Sequence, residues 1–420
     1  MWRVLYTALL RVALPYILVR LWWRARREPG YREAIAERFG ESTLQVKPRL
    51  LWVHAVSVGE VRACGPLVRA LQRAYPDHDT LVTCMTAAGR ETIKQVFGES
   101  VLCAWLPYDY PGAMQRFLEH YRPRLGVLME TEIWPNLVHV CARLGVPLML
   151  ANARMSIKSA RGYRLAGSLS RPAFAALAAV CAQGEADASR IRQLGAATVT
   201  VTGNLKFDIE PDAAKRQEGQ ALRAALPHRH VLLLASTREG EEAALLAALG
   251  AQDDGTLIVL VPRHPQRFDE VAALAQRAGY ALARRSLGEV PRHGLRLYLG
   301  DTMGEMALYY ALADVAVIGG SFEPLGGQNL IEACAAGVPV IAGPHMFNFA
   351  DATRLAVEAQ AALQVMDADA AIEAARALLA DPERRARMGV AGKRLCDQHR
   401  GAAERHLAVC QALLTAPARG

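Results

Sequence analysis

Charge and aromatic side chains are both scarce in this chain. Of its 420 residues only 21% are charged and 6% are Phe, Trp or Tyr, against 52% apolar. Such a chain can bury large cores, which excludes intrinsic disorder. Paired cysteines are missing as well: Cys64, Cys84, Cys103, Cys141, Cys181, Cys334, Cys396 and Cys410 form no C-x-x-C and mostly have apolar neighbours. Reduced core thiols are expected rather than disulfides. The eleven histidines show neither H-x-x-x-H nor H-E-x-x-H, and His228-x-His230 precedes an apolar run without nearby acids. No metal site and no cofactor are therefore expected. No G-x-G-x-x-G follows the first strand, there is no G-x-x-x-x-G-K-[ST], and Gly389-Val-Ala-Gly-Lys393 has the wrong spacing. These absences weaken dehydrogenase and ATPase readings, yet any strand-to-helix turn can still present backbone N–H groups to a phosphate. Repeats and low-complexity tracts are lacking, and the length suits two or three domains of about 100–200 residues.

What charge there is lies unevenly. Lys and Arg number 49 against 41 acids, a net +8. Residues 1–27 hold Arg3, Arg11, Arg20, Arg24, Arg26, Arg27 and no acid, so +6 of it belongs to them. The remaining body is nearly neutral, and nucleic acid is not an expected partner. The same segment is strongly apolar and close to the ~20 residues of a membrane span, but Arg11 and Pro15 interrupt it. A helix lying in the interface or dipping shallowly is favoured over a true span. Trp22-Trp23 followed by Arg24, Arg26 and Arg27 reads as an interfacial belt beside a positive cytoplasmic flank, with the catalytic bulk cytoplasmic. No small-x-small site suits a cleaved signal peptide.

Beyond the anchor, short apolar runs alternate with helix-length segments. Candidate strands are Leu50–Ser57, Thr80–Thr86, Val101–Leu106, Leu125–Glu130, Pro147–Ala151, Ala178–Gln183 and Val199–Gly203. A polar stretch, Asp208–Gln220, reads as a linker, after which Val231–Thr237, Thr256–Pro262, Leu295–Gly300, Val315–Ser321 and Pro339–Gly343 resume the pattern. Continuous apolar strands between helices indicate parallel sheets covered on both faces. The expected architecture is α/β: an anchor helix (1–27), a Rossmann-like domain (28–207), a linker (208–220) and a second Rossmann-like domain (221–420) whose final helices can cross back. Both domains are doubly wound and face a cleft.

The chemically suggestive residues cluster where strands end. Glu60 follows Val53-His-Ala-Val-Ser-Val-Gly at the start of a helix, where it either complements the helix dipole or serves as a general base. Gly59 reads as the residue that permits a tight turn there. Glu130 and Glu132 close the apolar strand Leu125–Met129; unpaired charge there is costly, so Glu130 needs a reason, whereas Glu132 reads as a cap for the next helix. At most one of the two is expected to line the cleft. Lys206, in Thr202-Gly-Asn-Leu-Lys-Phe-Asp208, is either a solvated lysine or a cation for the cleft. In the second half, Ser236-Thr-Arg-Glu-Gly-Glu-Glu242, Pro262-Arg263-His-Pro and Met303-Gly304-Glu305 follow three strands and suggest a phosphate and nucleoside cradle. The densest signal is Gly319-Gly-Ser-Phe-Glu-Pro-Leu-Gly-Gly-Gln-Asn329-Leu330-Ile331-Glu332. Its glycine pairs allow close backbone approach. Asn329-x-x-Glu332 is either an N-cap pair or a means of holding ribose hydroxyls.

Taken together, these motifs and Gly30-Tyr-Arg32, Glu37-Arg-Phe-Gly40, Met129–Asn136 and Gly343-Pro-His-Met-Phe-Asn-Phe349 resemble the Kdo transferases. These are inverting glycosyltransferases that move 3-deoxy-D-manno-octulosonic acid (Kdo) from CMP-Kdo to the lipid A precursor. The likeness covers nearly the whole chain. It implies a glycosyltransferase B-type fold, a metal-independent reaction, and Glu60 as catalytic base assisted by Glu130 and Lys206. CMP would be held by Pro262, Arg263, Met303, Gly304, Glu305, Asn329, Leu330, Ile331 and Glu332. The chain departs from the family at Phe322-Glu-Pro-Leu325, where a basic residue is expected after the proline. Two other readings stand beside this one: a UDP-sugar glycosyltransferase or epimerase of the same fold, and a membrane-tethered nucleotide-binding scaffold.

Overall fold

The computed structural model of the protein describes residues 1–227, 230–250 and 255–416; His228 lies outside them. Runs dense in Val, Leu and Ile become strands buried throughout, as in Leu50–His54, Leu125–Met129 and Thr256–Pro262. A strand with no polar face needs cover on both sides, and the intervening helices supply it.

Among the described residues the strands are β1 (Leu50–His54), β2 (Asp79–Cys84), β3 (Leu102–Trp105), β4 (Leu125–Met129), β5 (Leu148–Ala153), β6 (Ala179–Ala182) and β7 (Val199–Val201) in the first sheet. The second sheet holds β8 (His230–Thr237), β9 (Thr256–Pro262), β10 (Leu282–Arg284), β11 (Leu297–Leu299), β12 (Val315–Ile318), β13 (Val340–Ala342) and β14 (Ala362–Gln364). Both sheets are parallel, ordered β3-β2-β1-β4-β5-β6-β7 and β10-β11-β9-β8-β12-β13-β14. In each, the chain moves outward from its first strand and then returns to that strand's other side. The order therefore reverses between β1 and β4, and between β8 and β12. At such a point the loops leaving two neighbouring strands diverge, which opens a crevice at their carboxyl ends.

The chain forms two compact units, Met1–Ile209 with His399–Gly420, and Glu210–Gln398. The last helix, Ala402–Thr415, is therefore part of the first unit rather than the second: Ala402, Leu407 and Cys410 join its core beside Val61, Leu67 and Leu71. Asp208 fixes the return by accepting from the Gly401 and Ala403 N–H groups at 2.7 and 2.5 Å.

Two details differ from the sequence reading. Edge strands β10 and β14 went unseen because each is three residues long and carries a polar residue, Arg284 or Gln364. Segment 208–220, read as a linker, contains the break between the two units at Ile209/Glu210, but its second half is helical: Asp212 accepts from the Lys215 N–H at 3.0 Å and caps a helix, Ala213–Ala225. That helix lacks an apolar stripe because its buried contact is a glycine. A Cβ at Gly219 would lie 2.4 Å from the Leu308 carbonyl oxygen of helix Met306–Leu312.

The first helix, Trp2–Arg27, docks on the first unit through its polar side. Arg3 and Thr7 donate to Asn136 Oδ1 at 3.3 and 3.2 Å, Tyr110 donates to the Leu10 carbonyl at 2.7 Å, and the Arg24 guanidinium lies 5.3 Å from the Tyr31 ring centroid. Leu5, Leu9, Val12, Tyr16, Val19, Trp22 and Trp23 remain exposed.

Replacing a helical glycine by alanine ordinarily stabilises. At Gly219 the sign should invert: Gly219→Ala is expected to cost about 1–3 kcal/mol, since the overpacked partner is a backbone carbonyl. Urea unfolding of the full chain measures it, and a gain in stability would refute the close helix contact.

Candidate active site

The first crevice is built from the loops after β1 and β4. Helix Val58–Ala74 begins after Ser57, and Glu60 lies in its first turn. Glu60 Oε2 accepts from the Val56 N–H at 2.9 Å and Oε1 from the Ser57 hydroxyl at 3.0 Å, so the side chain does help to close the helix start. It is nevertheless half-buried close to two other carboxylates. Burial, then Glu130 and Glu132, push its pKa up to about 7, against the opposing pull of the Val56 N–H and the Ser57 hydroxyl. Gly59 makes no left-handed turn. A Cβ there would meet nothing closer than Ser57 Oγ at 3.9 Å, so the glycine leaves the surface beside Glu60 uncovered.

Glu130 follows β4 with φ +55°, a left-handed conformation that turns the chain sharply away from the sheet. Its Oε1 accepts from Lys206 Nζ at 3.1 Å, with the two side chains only 18% and 15% exposed. Lys206 is thus an ion-pair partner rather than a solvated cation. It is positioned from below: Asn204 Oδ1 accepts from the Lys206 N–H, and buried Asn152 Oδ1 from the Leu205 N–H, both at 3.0 Å. Asn152 is itself held at φ +52°, with its N–H donated to His406 Nε2 at 3.0 Å.

Glu132 is not the cap of the following helix. That helix, Pro135–Arg143, takes its cap from Asp109, whose carboxylate accepts from the Asn136 and Leu137 N–H groups at 3.0 and 2.8 Å. Glu132 is pushed upward chiefly by burial, with Glu130 adding to it. Both carboxylates raise Glu60, Glu130 more than Glu132.

The second unit repeats the plan between β8 and β12. Pro262 ends β9 and Arg263 follows it, with Arg263 Nε donating to Gln328 Oε1 at 3.2 Å in the glycine loop after β12. Asn329 Oδ1 accepts from the Ile331 N–H at 3.1 Å and Asn329 Nδ2 donates to Glu332 Oε1 at 2.9 Å, a local cap on helix Ile331–Ala336. Leu330 and Ile331 are buried. Glu305 is saturated: its oxygens accept from Lys215 at 2.6 Å, from Arg285 at 2.9 and 3.0 Å, and from the Thr302 hydroxyl. These cations hold its carboxyl at about 2, with Arg285 the largest contributor. Through the Thr302 hydroxyl its carboxylate secures the Met303-Gly304 turn.

The glycines have a steric reason. Cβ atoms at Gly326 and Gly327 would fall 2.1 Å from Asn348 Nδ2 and 2.2 Å from Met346 Sδ, so this loop lies directly on the segment after β13. Its anchor is a residue that the sequence reading passed over as part of a helix start. Buried Glu241 accepts four backbone N–H groups: Arg238 at 2.8 Å, Gly320 at 2.6 Å, Ser321 at 2.9 Å and Phe322 at 2.9 Å. The signal available was a Glu-Glu pair on an otherwise apolar helix. Its second member, Glu242, forms a buried bidentate pair with Arg267 at 2.7 and 3.1 Å.

Comparison with known proteins follows this architecture. Residues 285–395 match the family model for glycosyl transferases group 1. The chain is similar in fold to UDP-GlcNAc 2-epimerase from Neisseria meningitidis bound to UDP-GlcNAc (TM-score 0.60, 16% identity, 88% of this chain and 100% of that one). The class is thus a two-domain glycosyltransferase of the B type. Residues 33–209 match the model described as 3-deoxy-D-manno-octulosonic-acid transferase. The chain is 48% identical to the 3-deoxy-D-manno-octulosonic acid transferase of Bordetella pertussis over 97% of its own length and 98% of the relative's. It is 38% identical to that of Haemophilus influenzae, over 97% of each. It belongs to the 3-deoxy-D-manno-octulosonic acid transferase family.

Glu241→Gln leaves one acceptor oxygen and an added N–H₂ facing four donors. The expected result is a loss of at least about 2 kcal/mol of stability. Faster amide hydrogen exchange at Gly320, Ser321 and Phe322 should accompany it, with β1 and β4 unaffected. Unchanged exchange at those three amides would remove Glu241 as the anchor.

Proposed function

We propose that this Kdo transferase is an inverting enzyme that takes Kdo from CMP-Kdo and places it on the lipid A precursor, with Glu60 as general base. The observation that carries the reading is Glu60 itself: a half-buried carboxyl raised to about 7 at the switch point of the first sheet, beside the Glu130–Lys206 pair. A base poised near the working pH combines a useful charged fraction with proton affinity.

In this scheme the acceptor hydroxyl attacks the anomeric carbon while CMP departs from the opposite face, and Glu60 takes the hydroxyl proton. Positive charge grows on the sugar ring, and Glu130 stabilises it. Lys206 holds Glu130 and counters the donor's carboxylate or phosphate. CMP is assigned to the second unit: Pro262 and Arg263, the backbone of Met303 and Gly304 secured by Glu305, and the segment Asn329, Leu330, Ile331 and Glu332. A monophosphate leaving group carries less charge than a diphosphate, so Arg263 and backbone N–H groups serve without a metal ion.

The first helix is assigned to the cytoplasmic face of the inner membrane, lying in the interface. Contacts near both of its ends, at Arg3 and Arg24, tie it along the first unit, and a helix so tied does not cross a bilayer. Its exposed Trp22, Trp23, Leu9 and Val12 supply the insertion energy. Alkaline carbonate should therefore release the protein from membranes. Extraction by detergent alone would favour a span.

The acid–base assignment has a pH signature. The carboxylate is the active form, so kcat/KM should fall about tenfold per pH unit below about 7 and level off above it. Glu60→Gln should lose about 10²–10⁴-fold in kcat without losing its fold. Stability gives an independent check. A carboxyl raised in the folded state contributes stability that is complete below its unfolded value of 4.5 and lost as pH rises through about 7. The melting-temperature advantage of Glu60→Gln over wild type should therefore grow between pH 5 and pH 8. Near wild-type turnover of Glu60→Gln with CMP-Kdo and tetraacylated lipid A precursor, followed by mass spectrometry, would reject the base.

A further inference from the structure

The first unit holds a recess that the chemistry above leaves unused. Its volume is about 510 Å³, and its wall includes Arg20, Arg24, Tyr31, Arg38, Tyr108 and Trp134. It lies between helix Trp2–Arg27 and the carboxyl end of the first sheet. Val56 and Glu132 also border it, and these are the residues that donate an N–H to Glu60 and raise its pKa. The recess therefore lies beside residues that hold and tune the base.

Arg38 is the unexplained group in it. The residue is 2% exposed, and its Nε and Nη2 atoms have no hydrogen-bond partner. Its guanidinium lies 3.9 Å from the Trp105 ring centroid and 5.7 and 5.9 Å from those of Tyr31 and Tyr108. Arg24 reaches the same Tyr31 ring at 5.3 Å. Among the described residues no ion pair involves Arg20, Arg24 or Arg38. The nearby acids are otherwise engaged: Glu37 Oε2 accepts from Arg90 and from the Trp105 N–H, and both Asp109 oxygens accept backbone N–H groups. A buried guanidinium without a counterion carries a desolvation cost that stacking on aromatic rings offsets only in part.

An arriving anion would supply what is missing. The apolar surface of the adjoining helix, with Tyr16, Val19, Trp22 and Trp23 exposed, selects an anion carried on a membrane-resident amphiphile over a free one. We propose that this recess binds a phosphate group of the amphiphilic acceptor through Arg38, Arg24 and Arg20, and so sets the acceptor's sugar hydroxyl against Glu60. The inference rests on the acceptor and base assignments made above.

The test uses the full chain in detergent micelles and two probes, a phosphorylated glucosamine-disaccharide lipid and the same lipid after phosphatase treatment. Binding is read from tryptophan fluorescence, to which Trp134 in the recess wall contributes. Wild type should bind the phosphorylated lipid at least about tenfold more tightly, the scale of one charge-assisted hydrogen bond. Arg38→Met, which keeps the stacked volume, should erase most of that preference without weakening the dephosphorylated lipid. Arg24→Gln, on the helix surface, should do the same in part and guards against misfolding of the first variant. Equal binding of the two lipids by wild type would overturn the proposal, as would an equal loss on both lipids in Arg38→Met, the mark of a packing role. Competition by inorganic phosphate alone at the lipid's own concentration range would overturn the amphiphile. Phosphate preference together with absent Kdo transfer to either lipid would instead reject the transfer reading and leave the recess standing.

Discussion

Both units depend on one geometric constraint: a parallel sheet entered at an inner strand must reverse its direction of growth. At β1 and β4, and again at β8 and β12, neighbouring strands send their chains to opposite sides and leave backbone ends that no strand covers. Polar groups can enter a parallel α/β core at such an edge without facing hydrocarbon on all sides. Glu60, Glu130 and Lys206 stand at the first edge, and Arg263, Gln328 and Asn329 at the second. Elsewhere the strands are closed. β1, β4 and β9 bury every residue, so these sheets offer no alternative position for a charged group.

The two edges manage charge in opposite ways. In the first, Glu60, Glu130 and Glu132 lie near one lysine that pairs with Glu130, and Glu60 is raised by burial and by the other two carboxylates. The arrangement costs stability and keeps a proton acceptor near neutrality. In the second, carboxylates are neutralised as fully as the fold allows: Glu241 by four backbone N–H groups, Glu242 by Arg267, and Glu305 by Lys215, Arg285 and Thr302. They hold loops in place through fixed hydrogen bonds and ion pairs.

How much of this was legible depended on where each signal resides. Most strand positions followed from uninterrupted apolar runs, and the site candidates from strand ends such as Met129-Glu130 and Ile318-Gly319-Gly320, because local composition betrays a buried strand that stops. Long-range polar contacts were not legible. Asp109 caps a helix 27 residues away and Asp208 anchors one nearly two hundred residues away, pairings that no local window contains. Glu241 was hidden for the same reason, since its partners lie about eighty residues downstream. Gly219 misled in another way. A helix that packs through a glycine shows no apolar stripe, and its sequence reads as loop.

The first helix presents two unlike faces. Its cationic and hydroxyl groups, Arg3 and Thr7, turn toward Asn136, whose amide is fixed by Asp109; Asp109 in turn caps the helix that follows the Glu130–Glu132 loop. The apolar side chains are thereby left on the opposite face. A helix that only spanned a bilayer would have no use for a buried Asn–Asp pair at its amino end, and a soluble core helix would not leave Trp22, Trp23 and Val12 uncovered. The same hydrogen bonds that orient the helix also border the loop carrying the carboxylates that tune Glu60. The first helix and the loop that carries Glu130 and Glu132 are thus joined through Asp109 and Asn136.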